Sequence, residues 1–225
     1  MLEARKSVWF EKIFAAYNSN LIRRRFNSLR VSGLNFLHAS DKNLPLLLYA
    51  NHSSWWDGLL AFQISRKVKL DSFLMMEEKQ LRKLKLFRKI GAFSVVREKP
   101  REAIKSIVYA ADILREKSNR AVWIFPQGEI LPNDIRPLGF YNGFTKIIEK
   151  VGICNVIPVA MRFEFLGDFK PDIFVKIGEP DIFNKDGNFI SKKTTVLLEN
   201  KLTENLNILK SQIVTNNLDD FQKIF

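Results

Sequence analysis

The sequence contains a single cysteine among its 225 residues, so a disulfide within the chain and a metal cluster built on cysteine thiolates are both excluded. This residue, Cys154, lies in an apolar stretch and is expected to be a small buried side chain. The chain also lacks a run of about 18 uncharged apolar residues, which excludes a conventional membrane-spanning helix. Glu11 and Lys12 interrupt the first apolar stretch, so no cleaved targeting segment is expected. A reducing, cytoplasmic setting fits these absences.

Acidic residues are in the minority, and the net charge of +12 is concentrated in two segments. Residues 1–30 hold seven Lys or Arg and two acidic residues, while residues 67–101 hold eleven and four. In the rest of the chain, basic and acidic residues are equal in number. This distribution predicts an anionic surface partner, which on charge alone is a layer of phospholipid headgroups, an acidic carrier protein or nucleic acid.

Apolar runs alternate with amphipathic stretches along the whole chain, without a repeat, a low-complexity tract or a linker. The run at 44–50 (LPLLLYA) is typical of a buried strand in a mostly parallel sheet. Further strands are predicted at 72–76, 92–96, 121–125, 156–161 and 173–177, and helices at 58–64, 78–90, 100–117, 143–151 and 194–213. The alternation predicts one α/β domain with a central, mostly parallel sheet flanked by helices.

An N-terminal amphipathic helix is predicted at residues 8–29, where apolar residues recur at three- and four-residue steps. The cations between them are Lys12, Arg23, Arg24, Arg25 and Arg30. A helix of this kind either packs on a globular core or lies in the headgroup plane of a membrane with aromatic residues such as Trp9 inserted. We expect a basic membrane-interface segment at 1–30, followed by the catalytic domain at 31–225.

Candidate chemistry lies after the predicted strands, because ligands of open α/β sheets bind beyond the carboxyl ends of strands. His52 and Asp57 follow the strand that ends at Ala50. On a regular helix, side chains five residues apart diverge by about 140°, so the two residues pair only if His52 lies in the turn and Asp57 begins the next helix. The carboxylate would then fix the imidazole tautomer and leave the other ring nitrogen free as a general base. The second histidine, His38, lies in a polar stretch and is given no role.

Four short motifs, each placed at or beside a predicted strand, give the chain a resemblance to a known family. In chain order they are Asn51-His52 with Asp57 (NHxxxxD), Gly91 with Arg97, Phe125-Pro126-Gln127-Gly128 (similar to FPEG) and Ile157-Pro158-Val159 (a strand with V-P-V). Over about residues 30–180, the chain resembles the glycerolipid acyltransferases of phospholipid biosynthesis, typified by lysophosphatidic acid acyltransferase.

The resemblance implies an acyl group transferred from acyl carrier protein or coenzyme A to a hydroxyl of a lysophospholipid at the cytoplasmic face of a membrane. His52 would deprotonate the acceptor hydroxyl, which attacks the thioester directly, without an acyl-enzyme intermediate and without a cofactor. Substrate-binding roles would fall to Arg97, Gln127, Gly128 and Glu129. The absence of a GxSxG sequence agrees, since acyl transfer through an enzyme serine lacks its usual signature here.

The third motif departs from the family pattern. Where the family continues E-G-T-R, this chain has Gln127, Gly128, Glu129 and Ile130. If the family arginine binds an acceptor phosphate, Arg97 is the matching cation that remains, with Arg136 as a candidate substitute. A glycosylated or other neutral acceptor is therefore an alternative to lysophosphatidic acid.

Two further alternatives remain open. In a thioesterase, His52 would activate water instead of an acceptor hydroxyl. In a protein that binds nucleic acid, the two basic segments would contact phosphates, but they are amphipathic and no recognised nucleic-acid motif is present. The motifs therefore favour a membrane-surface enzyme that does not bind nucleic acid.

Overall fold

The computed structural model describes residues 1–39, 44–167, 169–184 and 191–225. Its helices are α1 (Val8–Arg25), α2 (Leu34–Ala39), α3 (Asp57–Lys67), α4 (Glu78–Lys83), a 3-10 helix (Lys85–Ile90), α5 (Pro100–Glu116), α6 (Gly143–Val151) and α7 (Ser191–Val214). Its strands are β1 (Leu29–Ser32), β2 (Leu46–Ala50), β3 (Asp71–Glu77), β4 (Ala92–Val95), β5 (Arg120–Ile124), β6 (Ile153–Glu164), β7 (Asp172–Ile177), β8 (Asp181–Asn184) and β9 (Gln222–Lys223).

One sheet contains all of these strands, in the order β4-β3-β5-β2-β6-β7-β1-β9, with β8 paired to β6. Every neighbouring pair from β4 to β6 is parallel. β7 runs antiparallel to β6, and β1 runs parallel to β7. The predicted fold class, a mostly parallel sheet flanked by helices, is thus confirmed.

The sheet separates two hydrophobic layers, and the alternating side chains of β2 contribute to both. Leu47 and Tyr49 pack with buried residues of α5, α6 and α7. Leu46, Leu48 and Ala50 pack with buried residues of α1, α2 and α3. All five residues of β2 are buried, which explains why this strand is a continuous apolar run in the sequence.

Two predicted helices are shorter in the structure. The helix predicted at 8–29 ends at Arg25, because Phe26 adopts an extended backbone and Leu29 pairs with Ile173 in the sheet. The helix predicted at 78–90 is divided at Leu84, whose backbone is not helical, into α4 and the 3-10 helix. The break lets Phe87 lie against Phe14 of α1, with ring centroids 5.7 Å apart.

Helix α1 packs antiparallel to α3, so its C-terminal end lies at the sheet edge where β2 ends. Glu11 lies by Arg66, Asn18 donates to the carbonyl of Leu59, and the Phe26 ring meets Trp56 at a centroid distance of 5.0 Å. The opposite side of α1 exposes large apolar side chains: Val8, Trp9, Ile13 and Tyr17. Within the described residues, no helix combines the length and apolar content needed to cross a bilayer.

Candidate active site

His52 and Asp57 form a hydrogen-bonded pair at the carboxyl end of β2. The chain turns after Ala50, and Asp57 is the first residue of α3. His52 Nδ1 lies 2.8 Å from Asp57 Oδ2, and Asp57 is fully buried. An ionised carboxylate only accepts hydrogen bonds, so when Asp57 is ionised and His52 is neutral, the ring proton is on Nδ1 and Nε2 carries the lone pair.

The turn that precedes α3 holds the Asp57 carboxylate in place. The backbone N–H groups of Ser53 and Ser54 each donate to Asp57 Oδ2 at 2.8 Å. The partial positive charge at the start of α3 also favours an acidic residue in this position. Asn51, the first residue of the motif, anchors the turn to β6 through the backbone of Met161, with bonds of 2.8 and 3.0 Å.

The turn after β5 supports His52 from the other side. Gln127 Oε1 accepts the backbone N–H of His52 at 2.7 Å, and the N–H of Leu131 donates to the His52 carbonyl at 2.8 Å. The ring of Phe125 stacks on the imidazole at a centroid distance of 4.6 Å. Gln127 is buried and lies outside the cavity lining, so its amide supports the histidine turn. A carboxylate in the same position could accept this N–H equally well, so the departure from FPEG leaves the support in place.

A cavity of about 550 Å³ opens beside the histidine. Besides His52, its wall contains the charged side chains of Glu77, Arg97 and Glu129. Most of the remaining lining is apolar: Trp55, Gly58, Leu59, Leu74, Met75, Met76, Phe87, Val95, Ala103, Ile107, Ile124, Phe125, Ile130, Phe144 and Ile147. A mostly apolar cavity with a few polar groups suits a ligand with a hydrocarbon chain.

Arg97, two residues beyond β4, lies over the Tyr141 ring with its guanidinium carbon 5.5 Å from the ring centroid. It also packs on Gly128, where a Cβ would come within 2.3 Å of Arg97 Nη1 and where φ is +71°. The positive φ favours glycine at this position, and a side chain here would displace the Arg97 guanidinium. Within the described ranges, Arg97 has no salt bridge to a carboxylate, so its charge is available to a ligand in the cavity.

Arg136, the candidate substitute for the family arginine, is hydrogen-bonded to the protein itself. Its guanidinium donates to the carbonyls of Asn133 and Ile135 and to Asn207 Oδ1, with distances of 2.7 to 3.1 Å. It does not line the cavity. Ile130, which occupies the position of the family arginine, does line it and is half exposed. The structure therefore does not bring Arg136, the candidate substitute, to the cavity.

Cys154 does not line this cavity. Cys154 is fully buried, as expected, and burial raises the pKa of its thiol to about 12. In the part of the chain that the structure describes, no group of three or more His, Cys, Asp and Glu side chains is arranged to hold a metal ion. The backbone of His38 lies in α2.

The family model described as Acyltransferase matches residues 28–162, which is more than half of the chain. The chain belongs to the acyltransferase family. The matched region of this acyltransferase extends from the strand β1 into β6 and contains His52, Asp57, Arg97 and Gln127. The family expected from the four sequence motifs is therefore confirmed.

A solved structure has the same fold as this acyltransferase. It is the crystal structure of the 1-acyl-sn-glycerophosphate (LPA) acyltransferase, PlsC, from Thermotoga maritima. The TM-score is 0.64 at 19% sequence identity, and the match covers 89% of this chain and 80% of the other. No curated protein sequence matches the chain.

Proposed function

We propose that this acyltransferase moves a fatty acyl group from a thioester to a hydroxyl of a membrane lysolipid, with His52 as general base and Asp57 as its positioning residue. The observation that carries the proposal is the hydrogen-bonded pair beside a large, mostly apolar cavity. The Thermotoga maritima protein of similar fold, which is described as an LPA acyltransferase, supports a lysophospholipid acceptor.

In the proposed reaction, His52 Nε2 takes the proton of the acceptor hydroxyl as its oxygen attacks the thioester carbonyl. The carbon–sulfur bond then breaks, and the imidazolium returns the proton to the departing thiolate, which leaves as a thiol. Asp57 stabilises the imidazolium through the Nδ1 hydrogen bond. The apolar cavity holds the acyl chain out of water. Gln127, through its bond to the His52 backbone, positions the base and does not contact substrate.

The acceptor headgroup faces a mixed set of charges. Arg97 suits a phosphate, because its guanidinium has no carboxylate partner in the described part of the chain. Glu77 and Glu129 are in the same cavity wall, and Ile130 replaces the family arginine. Two carboxylates near one arginine disfavour a doubly charged phosphate monoester. This arrangement favours a second candidate, in which the acceptor has a neutral, hydroxyl-rich or zwitterionic headgroup.

Purified protein incubated with acyl carrier protein and coenzyme A thioesters, together with a panel of lysolipids, would test both candidates by mass spectrometry of the products. We expect acyl transfer to at least one lysolipid. Thioester cleavage that is equally fast without any lysolipid would contradict the proposal and favour a thioesterase.

Arg97→Ala is expected to raise the acceptor KM by roughly tenfold to a hundredfold while the donor KM changes little, because a charge-assisted bond to phosphate is lost. Steady-state kinetics with donor and acceptor varied separately measures this. Arg97→Lys keeps the charge without the forked geometry, so its acceptor KM should lie between those of the wild type and of Arg97→Ala. Equal effects on both KM values would indicate a structural role, and a wild-type enzyme indifferent to acceptor phosphate would favour the neutral acceptor.

Helix α1 and the basic residues near its end are the proposed docking surface for an anionic membrane at the cytoplasmic face. Val8, Trp9 and Tyr17 are exposed along the helix, where they can enter the headgroup region. In this proposal, the segment 1–30 serves as a membrane-interface element attached to the catalytic domain at 31–225.

Replacing Arg23, Arg24 and Arg25 together by alanine is expected to weaken binding to anionic liposomes by about two orders of magnitude, because each cation near such a surface contributes about 1 kcal/mol. Sedimentation with vesicles measures the loss. The matched control replaces three exposed lysines on the other helix layer: Lys117, Lys146 and Lys150. If both triple variants bind like wild type, the docking proposal fails.

The donor is proposed to reach the cavity past α4. Arg82 is paired with Glu78, but Lys79, Lys83 and Lys85 form no ion pair within the described residues. These lysines provide cations for an acidic carrier protein or for the phosphates of coenzyme A. The incubation with acyl carrier protein and coenzyme A thioesters, described above, distinguishes the two donors.

A further inference from the structure

The hairpin between β6 and β7 extends past the sheet edge that carries His52. β6 runs parallel to β2, and Ala50, the last residue of β2, pairs with Val159. β6 then continues for five more residues to Glu164, which pairs with Asp172 of the returning strand. At about 3.3 Å per residue, Glu164 lies roughly 16 Å beyond the end of β2. The turn that follows, described at residues 165–167 and 169–171, is the hairpin tip.

The hairpin tip is unusually apolar for a fully solvated turn. Phe165 is 70% exposed, Leu166 is 54% exposed and Phe169 is completely exposed. Large apolar side chains exposed together on one turn favour a surface for interaction with another molecule or with lipid. The proposed reaction does not use these residues, and none of them lines the cavity.

The same tip lies beside the basic end of α1. The backbone N–H of Asn27 donates to the Pro171 carbonyl at 3.0 Å, and the Phe26 and Phe163 rings are 5.6 Å apart. The three exposed arginines Arg23, Arg24 and Arg25 therefore lie next to the tip, which itself carries Lys170. The sequence of the tip also contains Asp168, so the excess positive charge comes from the arginines of α1. Exposed aromatic residues beside such a group of cations are complementary to an anionic bilayer.

We propose that the tip residues Phe165, Leu166 and Phe169 insert into an anionic lipid bilayer while the neighbouring arginines bind its headgroups. A second copy of the chain fits this surface less well. A twofold contact would place the same patch against itself and bring the two arginine groups together. A bilayer provides both the apolar interior and the negative surface that the tip needs.

Insertion of the tip also sets the orientation of the protein. The tip and the His52 turn lie at the same edge of the sheet, so a bilayer that receives the tip faces that edge. Binding to lipid is measured without turnover, so the inference stands or fails independently of the proposed reaction. It shares Arg23, Arg24 and Arg25 with the proposed docking surface on α1, and the serine variant described next, which leaves these arginines in place, tests the tip alone.

The test combines Phe165→Ser, Leu166→Ser and Phe169→Ser in the full chain and measures binding to vesicles of phosphatidylglycerol and phosphatidylcholine in equal amounts. We expect the partition coefficient to fall about a hundredfold, because three apolar side chains no longer leave water. The control combines Ile104→Ser and Ile182→Ser, which change exposed isoleucines on α5 and on β8. It should bind like wild type. Circular dichroism establishes that both variants are folded.

A second measurement reports insertion directly. The fluorescence of a Phe169→Trp variant, after subtraction of the wild-type signal, is expected to shift to the blue and to be quenched by vesicles with brominated acyl chains. Unchanged vesicle binding of the triple serine variant, or a Phe169→Trp signal that bromine does not quench, would overturn the proposal. It would also be overturned if the wild type were a dimer in solution and the triple serine variant a monomer, since the tip would then be a protein interface.

Discussion

His52→Ala is expected to lower the rate of acyl transfer by roughly 10²- to 10⁴-fold, because the acceptor hydroxyl would lose its proton acceptor. The fold should survive, since the imidazole is partly exposed and its removal deletes little core volume. The measurement is kcat/KM with saturating thioester, together with thermal unfolding followed by circular dichroism.

The matched control for this variant is His38→Ala, which removes the other histidine of the chain. It should retain the wild-type rate. A folded His52→Ala protein with near-normal turnover would exclude the proposed mechanism, and equal losses in both histidine variants would indicate a general effect on the fold.

Asp57→Asn is expected to reduce transfer by a comparable factor, roughly 10²- to 10⁴-fold, although His52 remains. Three donors converge on Asp57 Oδ2: the His52 ring and the N–H groups of Ser53 and Ser54. An amide that places its oxygen there keeps these bonds but does not offset the imidazolium charge. An amide that places its NH₂ group there opposes all three donors.

Comparison with Asp57→Ala separates positioning from folding. Alanine leaves two backbone N–H groups without an acceptor, which should cost about 1 to 3 kcal/mol of unfolding free energy per group. The asparagine variant should be more stable than the alanine variant while remaining nearly as inactive. If the amide of the asparagine variant turns its NH₂ group toward His52, the ring proton should move from Nδ1 to Nε2, which the ¹⁵N chemical shifts of His52 report. If the tautomer does not change and activity is kept, Asp57 has a structural role only.

The sequence predicts the central strands well because they are buried on both faces. The run at 44–50 has no competing helical pattern, and the observed β2 lies within it. The strand β1 was not predicted, because Phe26 and Leu29 continue the three-residue step of the helix before them. It becomes a strand by pairing with β7, a partner distant in the sequence.

The sequence predicts the part of the candidate site that depends on local secondary structure and does not predict the part in irregular segments. The pairing of His52 with Asp57 follows from the turn between a strand and a helix, and the structure brings the two residues together. Gln127 and Arg136 lie in irregular segments, where no periodicity indicates which way a side chain points. Both bind the protein itself, Gln127 at the His52 backbone and Arg136 at Asn207. The sequence does not predict that the apolar residues of the hairpin tip are exposed, because apolar residues are first assigned to the core.

The position of β2 inside the sheet has a consequence for local flexibility. Both of its edges are paired, with β5 and with β6, and all five of its residues are buried. Amide hydrogens of such a strand exchange with solvent only when the whole domain opens. The turn that carries His52 starts on this strand, and the turn that supports it starts on β5. Local unfolding elsewhere in the chain is therefore expected to leave His52 in place. The loss of activity on heating should coincide with global unfolding.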